Sequence, residues 1–126
     1  MKISEVSAQF DISPDTLRYY ERVGMLPSVN RNKSGIRDYN ETDMGWVYFI
    51  KCMRNAGMSI DILTEYVELV QQGDETVEAR KQILINQRDE LIQKIDDLRQ
   101  TLEILNKKIE GYDNAMLVYE QSLKEK

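Results

Sequence analysis

The stretch SPDTLRYYERVGML, residues 13–26, places Arg18, Tyr19 and Arg22 within a few residues of one another and contains no histidine, cysteine or nucleophile–base pairing. Guanidinium and phenol groups at this spacing suit phosphate oxygens and the donor and acceptor atoms on base edges rather than bond-breaking chemistry. At about 100° per residue, Leu17 and Tyr20 share one face of a helix while Arg18, Tyr19 and Arg22 project from the other. Thr16 stands near the start of the same helix. A solvated surface helix carrying a stray tyrosine would show the same pattern, so the surrounding elements must decide.

Those elements are short and well punctuated. Ser4 is the expected N-cap of a first helix, with Val6 and Phe10 one turn apart on its buried face. Asp11-Ile12 turn the chain. Ser13 caps the second helix, with Pro14 at its first position, where a missing N–H costs nothing. Two short helices joined so tightly predict a helix-turn-helix. Leu26-Pro27 end the helical region. The cluster Arg31-Asn32-Lys33-Ser34-Gly35, flanked by extended residues, reads as a β-hairpin with Arg31, Lys33, Arg37 and Tyr39 near its tip and second strand. A basic hairpin directly after a helix-turn-helix is a wing that can reach neighbouring backbone. A third helix, capped by Asn40 or Thr42, runs to about Asn55 and closes at Gly57. Ser59 caps a fourth, with Ile60, Leu63, Val67 and Val70 inward, ending at Gly73.

From Thr76 the periodicity changes. Val77, Leu84, Leu91, Leu98, Leu105, Tyr112 and Tyr119 recur every seven residues, with Ile95, Leu102, Ile109, Met116 and Leu123 at the companion positions. This is a heptad seam. Lys81 and Arg88 hold the first two companion sites, so the seam tightens from Leu91 onward. A helix from Thr76 to Glu110 would run about 50 Å, and Gly111 is expected to break or bend it. A lone helix would leave the stripe wet, so a partner is required, with Leu91, Ile95, Leu98, Leu102, Leu105 and Ile109 as the dimer contacts. The expected fold is mainly α, with a winged helix-turn-helix in residues 1–73 and the dimerisation helix and tail in 74–126.

The bulk numbers fit. The 126 residues are 41% apolar and 31% charged, enough for one compact domain plus an extended element. No signal-peptide-like opening and no apolar run of membrane-spanning length occurs, so a cytoplasmic protein with no membrane association is expected. The net charge is −5, but it is uneven: residues 1–58 carry eight Lys/Arg against seven Asp/Glu, and residues 59–126 carry nine against fifteen. The acidic balance of the whole chain therefore leaves a locally basic face on the first half possible.

Taken in order, TLRYYERVGML, SGIRDY, FIKCMRNAGMSI and the long seam resemble the MerR family of bacterial transcription regulators, over essentially the whole chain. The resemblance implies a winged helix-turn-helix and an antiparallel coiled-coil homodimer. It also implies an activator that binds double-stranded promoter DNA between over-spaced elements and distorts it for RNA polymerase. By position it assigns DNA contacts to Arg18 and Tyr19 in the recognition helix and to Arg37 and Tyr39 in the wing. Ile36 stands where many members carry an aromatic residue.

Metal-sensing members use cysteines around the start of the dimerisation helix and the loop beyond. Here Cys52 is the sole cysteine and there is no histidine, so no metal or other cofactor is expected. No additional ligand domain of the drug-binding kind is expected either. FIKCMRNAG resembles the branch whose single cysteine in this helix responds to aldehydes and other electrophiles. Trp46, Val47, Phe49, Ile50 and Met53 define the main apolar face of the third helix, and Cys52 lies about 130° from its centre, beside Tyr48 and Phe49. A small buried hydrophobe is the alternative for Cys52. Two other readings stay open: a regulator of the same type with a different small-molecule effector, and a coiled-coil scaffold whose amino-terminal helices bind protein.

Overall fold

The computed structural model describes residues 1–124; the side chain of Met116, an expected seam position, lies outside the described set. The elements are α1 (Ile3–Phe10), α2 (Pro14–Arg22), α3 (Glu41–Asn55), α4 (Ile60–Gln72), a single 3-10 turn (Asp74–Thr76) and α5 (Val77–Lys124). There are two compact units, one from Met1 to Gln87 and one from Arg88 onward, so the first runs past Gly73 into α5.

The first unit is built around Val6, Leu17, Met25, Leu26, Val47, Ile50 and Leu63, all essentially inaccessible to solvent. Each helix contributes the residues its spacing predicts: Val6 from α1, Leu17 from α2, Val47 and Ile50 from α3, Leu63 and Val67 from α4. Phe10 and Tyr20 pack against this core from its margin. The Lys51 ammonium donates to the Phe10 carbonyl and so ties the end of α1 to α3.

Local chemistry sets the ends. Ser13 accepts from the Thr16 amide at 3.1 Å, and Ser59 from the Ile62 amide at 3.2 Å, each satisfying an amide that the first turn leaves free. Asn40, rather than Thr42, caps α3. Its side chain accepts from the Asp43 amide at 2.9 Å, and Asp43 returns a bond from the Asn40 amide at 2.9 Å. Ser4 is not the cap of α1. The Glu5 carboxylate accepts from the Lys2 amide at 3.0 Å, which lets the helix begin at Ile3. Asp11 then turns in the left-handed region at φ 54°, one of the few such positions an aspartate tolerates.

Two further expectations are corrected. The wing is a minimal hairpin rather than a pair of regular strands: a single antiparallel bridge joins Arg31 and Arg37, flanked by bonds from the Asp38 amide to the Asn30 carbonyl at 2.7 Å and from the Asn32 amide to the Ile36 carbonyl at 2.9 Å. Side chains reinforce this short ladder. The Asn32 carboxamide oxygen accepts from Ser34 at 2.9 Å and Ile36 at 3.1 Å, and Gly35 turns at φ 79°. The Asn30 amide is held by buried Asp43 at 3.2 Å. Nor does Gly111 end the last helix, because α5 continues to Lys124. A helical glycine costs about 1 kcal/mol relative to alanine, which is a bend-level penalty rather than a stop. Along α5 the seam residues Leu98, Leu102, Leu105 and Ile109 are each more than half exposed.

Candidate nucleic-acid interface

Helix α2 is fixed by Ser13 at its start and by Leu17 beneath, so its free face is set. That face carries Arg18, Tyr19 and Arg22, all exposed as the spacing requires. Arg18 bonds Asp15 at 2.8 Å but keeps nearly half its side chain in solvent. The Arg22 guanidinium lies 5.4 Å from the centre of the Tyr19 ring, a cation–π contact that braces both groups. Thr16 is partly covered, and its hydroxyl meets that of Ser13 at 2.7 Å.

Between the start of α1, α2 and the loop after it lies a cleft of about 580 Å³, lined by Lys2, Ile3, Ser4, Arg18, Arg31, Asn32, Ile36, Arg37 and Asp38. Four cations line it against one acid, and although Arg18, Arg31 and Arg37 reach the neighbouring carboxylates of Asp15 and Glu21, a modest basic excess remains on this face. Ile36 is largely exposed at the edge of this cleft, and Lys33 is exposed at the turn beside it.

The wing residues divide into two kinds. Arg37 is not on a free face: its Nε donates to Glu21 at 2.8 Å, and it is three-quarters covered. Arg31 also reaches Glu21, at 3.8 Å, and donates to the Gly35 carbonyl at 3.0 Å. Tyr39 is the clear correction. Its ring is buried in the core, its hydroxyl has no hydrogen-bond partner, and its amide donates to the Met1 carbonyl at 2.8 Å. Burial raises the phenol above its ordinary pKa, against a smaller opposing pull from Arg37. The expected DNA contact of Tyr39 came from the family resemblance; here its ring belongs to the core cluster that also holds Met25, Leu26 and Val29.

Glu21 is the residue that the sequence reading passed over. It binds Arg37, Arg31 and, at 3.4 Å, the Val29 amide, and so holds the wing against the recognition helix. Neither residue type nor spacing marks it, since α2 carries two acids, Asp15 and Glu21, against two arginines.

On α3, Cys52 is partly exposed. Tyr48 stands one turn earlier, and its phenol is raised above its ordinary pKa by its neighbour Cys52. The Tyr48 ring also meets Phe10 at 6.5 Å. Among the described residues, no cluster of His, Cys, Asp or Glu could hold a metal ion, and no helix is long and apolar enough to cross a membrane.

A helix-turn-helix whose outward face is basic and aromatic, beside a braced wing, defines a DNA-binding module. Residues 1–69 match the MerR HTH family regulatory proteins, and residues 46–107 match the MerR DNA-binding description. The HTH-type transcriptional regulator AdhR of Bacillus subtilis (strain 168) is 58% identical over 93 residues, spanning 74% of this chain and 66% of that protein. A solved structure assigned to the MerR family from Listeria monocytogenes superposes with a TM-score of 0.92 at 40% identity, covering 99% of this chain and 95% of that one. HiNmlR, described as a MerR family regulator lacking the sensor domain and bound to promoter DNA, superposes with a TM-score of 0.83 at 31% identity, covering 90% of each chain. This chain belongs to the MerR family of helix-turn-helix regulatory proteins, and it is a DNA-binding transcriptional regulator.

Proposed function

We propose that this regulator works as a cytoplasmic homodimer that senses aldehydes or related electrophiles through Cys52 and activates transcription by distorting promoter DNA for RNA polymerase. The reading rests above all on Cys52. It is the only thiol in the chain, it lies in the FIKCMRNAG stretch resembling the electrophile-responsive branch, and it is partly open to solvent on α3. The sulfur adds to a carbonyl carbon, its proton passes to the carbonyl oxygen, and a hemithioacetal results with no other reactant. The added bulk favours a different setting of the head on bound DNA, and a ligand can bias such an equilibrium only by binding one setting better.

Arg18, Tyr19 and Arg22 are the direct DNA contacts in this reading, with Thr16, Arg31 and Lys33 at the phosphates. Arg37 acts mainly by holding the wing through Glu21, and Tyr39 supports it from below. The exposed seam from Leu91 to Ile109 pairs with a second copy. An in-register parallel pair would stack Lys81 on Lys81 and Arg88 on Arg88 inside the seam, whereas antiparallel pairing separates these like charges.

The test is a reporter driven by the regulated promoter, with an aldehyde added to cells carrying the native chain or Cys52→Ser. Serine keeps the size and removes the nucleophile, so DNA binding survives and induction disappears. Full induction of the serine variant would return Cys52 to a packing role.

A further inference from the structure

Two of the four cations that line the basic cleft are not free to follow any phosphate offered to them. Arg37 and Arg31 both reach Glu21, at 2.8 and 3.8 Å, and Arg31 is also tied to the Gly35 carbonyl at 3.0 Å. The carboxylate is well covered, with 13% of its side chain in solvent, and it does not itself line the cleft. Both of its oxygens are used: one accepts from Arg37, the other from the Val29 amide at 3.4 Å while facing Arg31. Glu21 takes only the Nε–H of Arg37, so among the described residues the terminal nitrogens of that fork have no protein acceptor.

An acid in this place lowers the attraction for DNA. Binding that ignores sequence is nearly all phosphate electrostatics, so affinity alone gives no reason to seat a carboxylate behind two arginines of the cleft. What the carboxylate supplies is geometry. It belongs to α2, three residues beyond Arg18 and two beyond Tyr19, so the helix that offers those groups also fixes where the wing arginines stand. A restrained guanidinium meets a phosphate only when the helix is in register, whereas a free one adapts to whatever phosphate is near. Discrimination is gained by weakening the wrong complex as well as by strengthening the right one.

We infer that Glu21 is a specificity-determining residue: it restrains Arg37 and Arg31 so that they engage phosphates only when Arg18 and Tyr19 are seated on their bases. Glu21 is a positioning group, acting through the two arginines without touching DNA. The inference rests on the assignment of Arg18 and Tyr19 as direct contacts.

Glu21→Gln keeps the size and one acceptor oxygen, so the wing keeps a tether while its arginines lose their ion pair. Fluorescence anisotropy compares this variant with the native chain on an inverted-repeat duplex from the regulated promoter and on a scrambled duplex of the same length. Affinity for the scrambled duplex should rise about two- to fivefold, the worth of one ion pair near the surface. Its salt slope should steepen by about one for each head engaged. Affinity for the promoter duplex should not rise, so the ratio of the two falls by a similar factor. An equal rise on both duplexes would mean that Glu21 acts by its bare charge, and no rise on the scrambled duplex would make it a simple brace; either overturns the inference. Arg37→Lys tests the same idea should Glu21→Gln not fold, because lysine keeps the charge but replaces the fixed fork with a mobile ammonium. It should again lower the ratio without weakening scrambled-duplex binding, and an unchanged ratio overturns the inference. If Arg18→Ala leaves promoter affinity as it is, the assignment of direct contacts falls and the inference with it, whereas failure at Glu21 alone leaves that assignment standing.

Discussion

Two arginines that look alike in the sequence do different work in the fold. Arg18 projects from α2 with only an exposed aspartate beside it, whereas Arg37 is largely covered and bonded to Glu21. Arg18→Ala should weaken DNA binding and reduce its salt slope by about one while leaving the thermal melt nearly unchanged. Arg37→Ala should weaken binding too, but with a stability loss of about 1–2 kcal/mol, since a charge-assisted bond at a partly covered site is removed. A melt of Arg37→Ala that matches the native one would show that the Glu21 contact holds nothing. Tyr39 gives the opposite case. A buried hydroxyl without a partner is a cost, so Tyr39→Phe should leave stability level or raise it by about 1 kcal/mol. Burial raises the folded-state phenol above its ordinary value of about 10, so the folded protein holds this proton longer than the unfolded chain does. That contribution is intact below about pH 10 and fades as pH climbs through the folded-state value. Tyr39→Phe should therefore flatten the alkaline fall in stability, and urea melts at pH 8 and above pH 10 would check it. The exposure of Arg18 was legible from helical spacing, but the surroundings of Arg37 and Tyr39 were not. The partner of Arg37 lies sixteen positions away, and only a tertiary contact reveals it.

Elements were legible where one residue decides an end. Ser13, Ser59 and Gly73 mark their helix boundaries because capping is local, and they stand where the spacing predicts. The wing was not legible as a set of strands. Its shape comes from two backbone bonds around the Arg31–Arg37 bridge, reinforced by the Asn32 carboxamide, buried Asp43 and Glu21. Gly111 misled for another reason: a glycine signal carries about 1 kcal/mol, while the heptad pattern on both sides of it favours continuing the helix. The same pattern bears the dimer. Leu98 and Leu102 are 68% and 56% exposed on an isolated chain, so nothing within the second unit explains their apolar character. Replacing both with Asp should produce monomers, because two charges cannot be taken into an apolar seam without partners. Sedimentation equilibrium decides this, and an intact dimer would move the interface elsewhere.

At the scale of the whole molecule, the charge record and the fold have to be reconciled. A sequence pI near 4.8 describes a protein that nucleic acid should repel. The basic cleft at Lys2, Arg18, Arg31 and Arg37 shows why an overall figure misleads: binding depends on the field at the contact surface, and distant acids are screened within about 10 Å at ordinary salt. One head offers few such cations, so a single head should bind weakly. Two heads joined by a seam turn the second contact into an intramolecular one, which raises affinity on the order of 10²–10⁴-fold without any new contact type. The Leu98→Asp/Leu102→Asp chain keeps its head and core residues untouched, so it isolates this gain. On an inverted-repeat duplex it should bind at least about 100-fold more weakly than the native dimer. On a duplex carrying one half-site the two proteins should differ little. The logarithm of affinity against the logarithm of salt should fall about half as steeply for the monomer, since half as many phosphate contacts release counterions. Fluorescence anisotropy with both duplexes over a range of salt measures all three quantities. Equal salt slopes for monomer and dimer would mean that only one head engages the DNA, and the dimer would then need a purpose other than reading two half-sites.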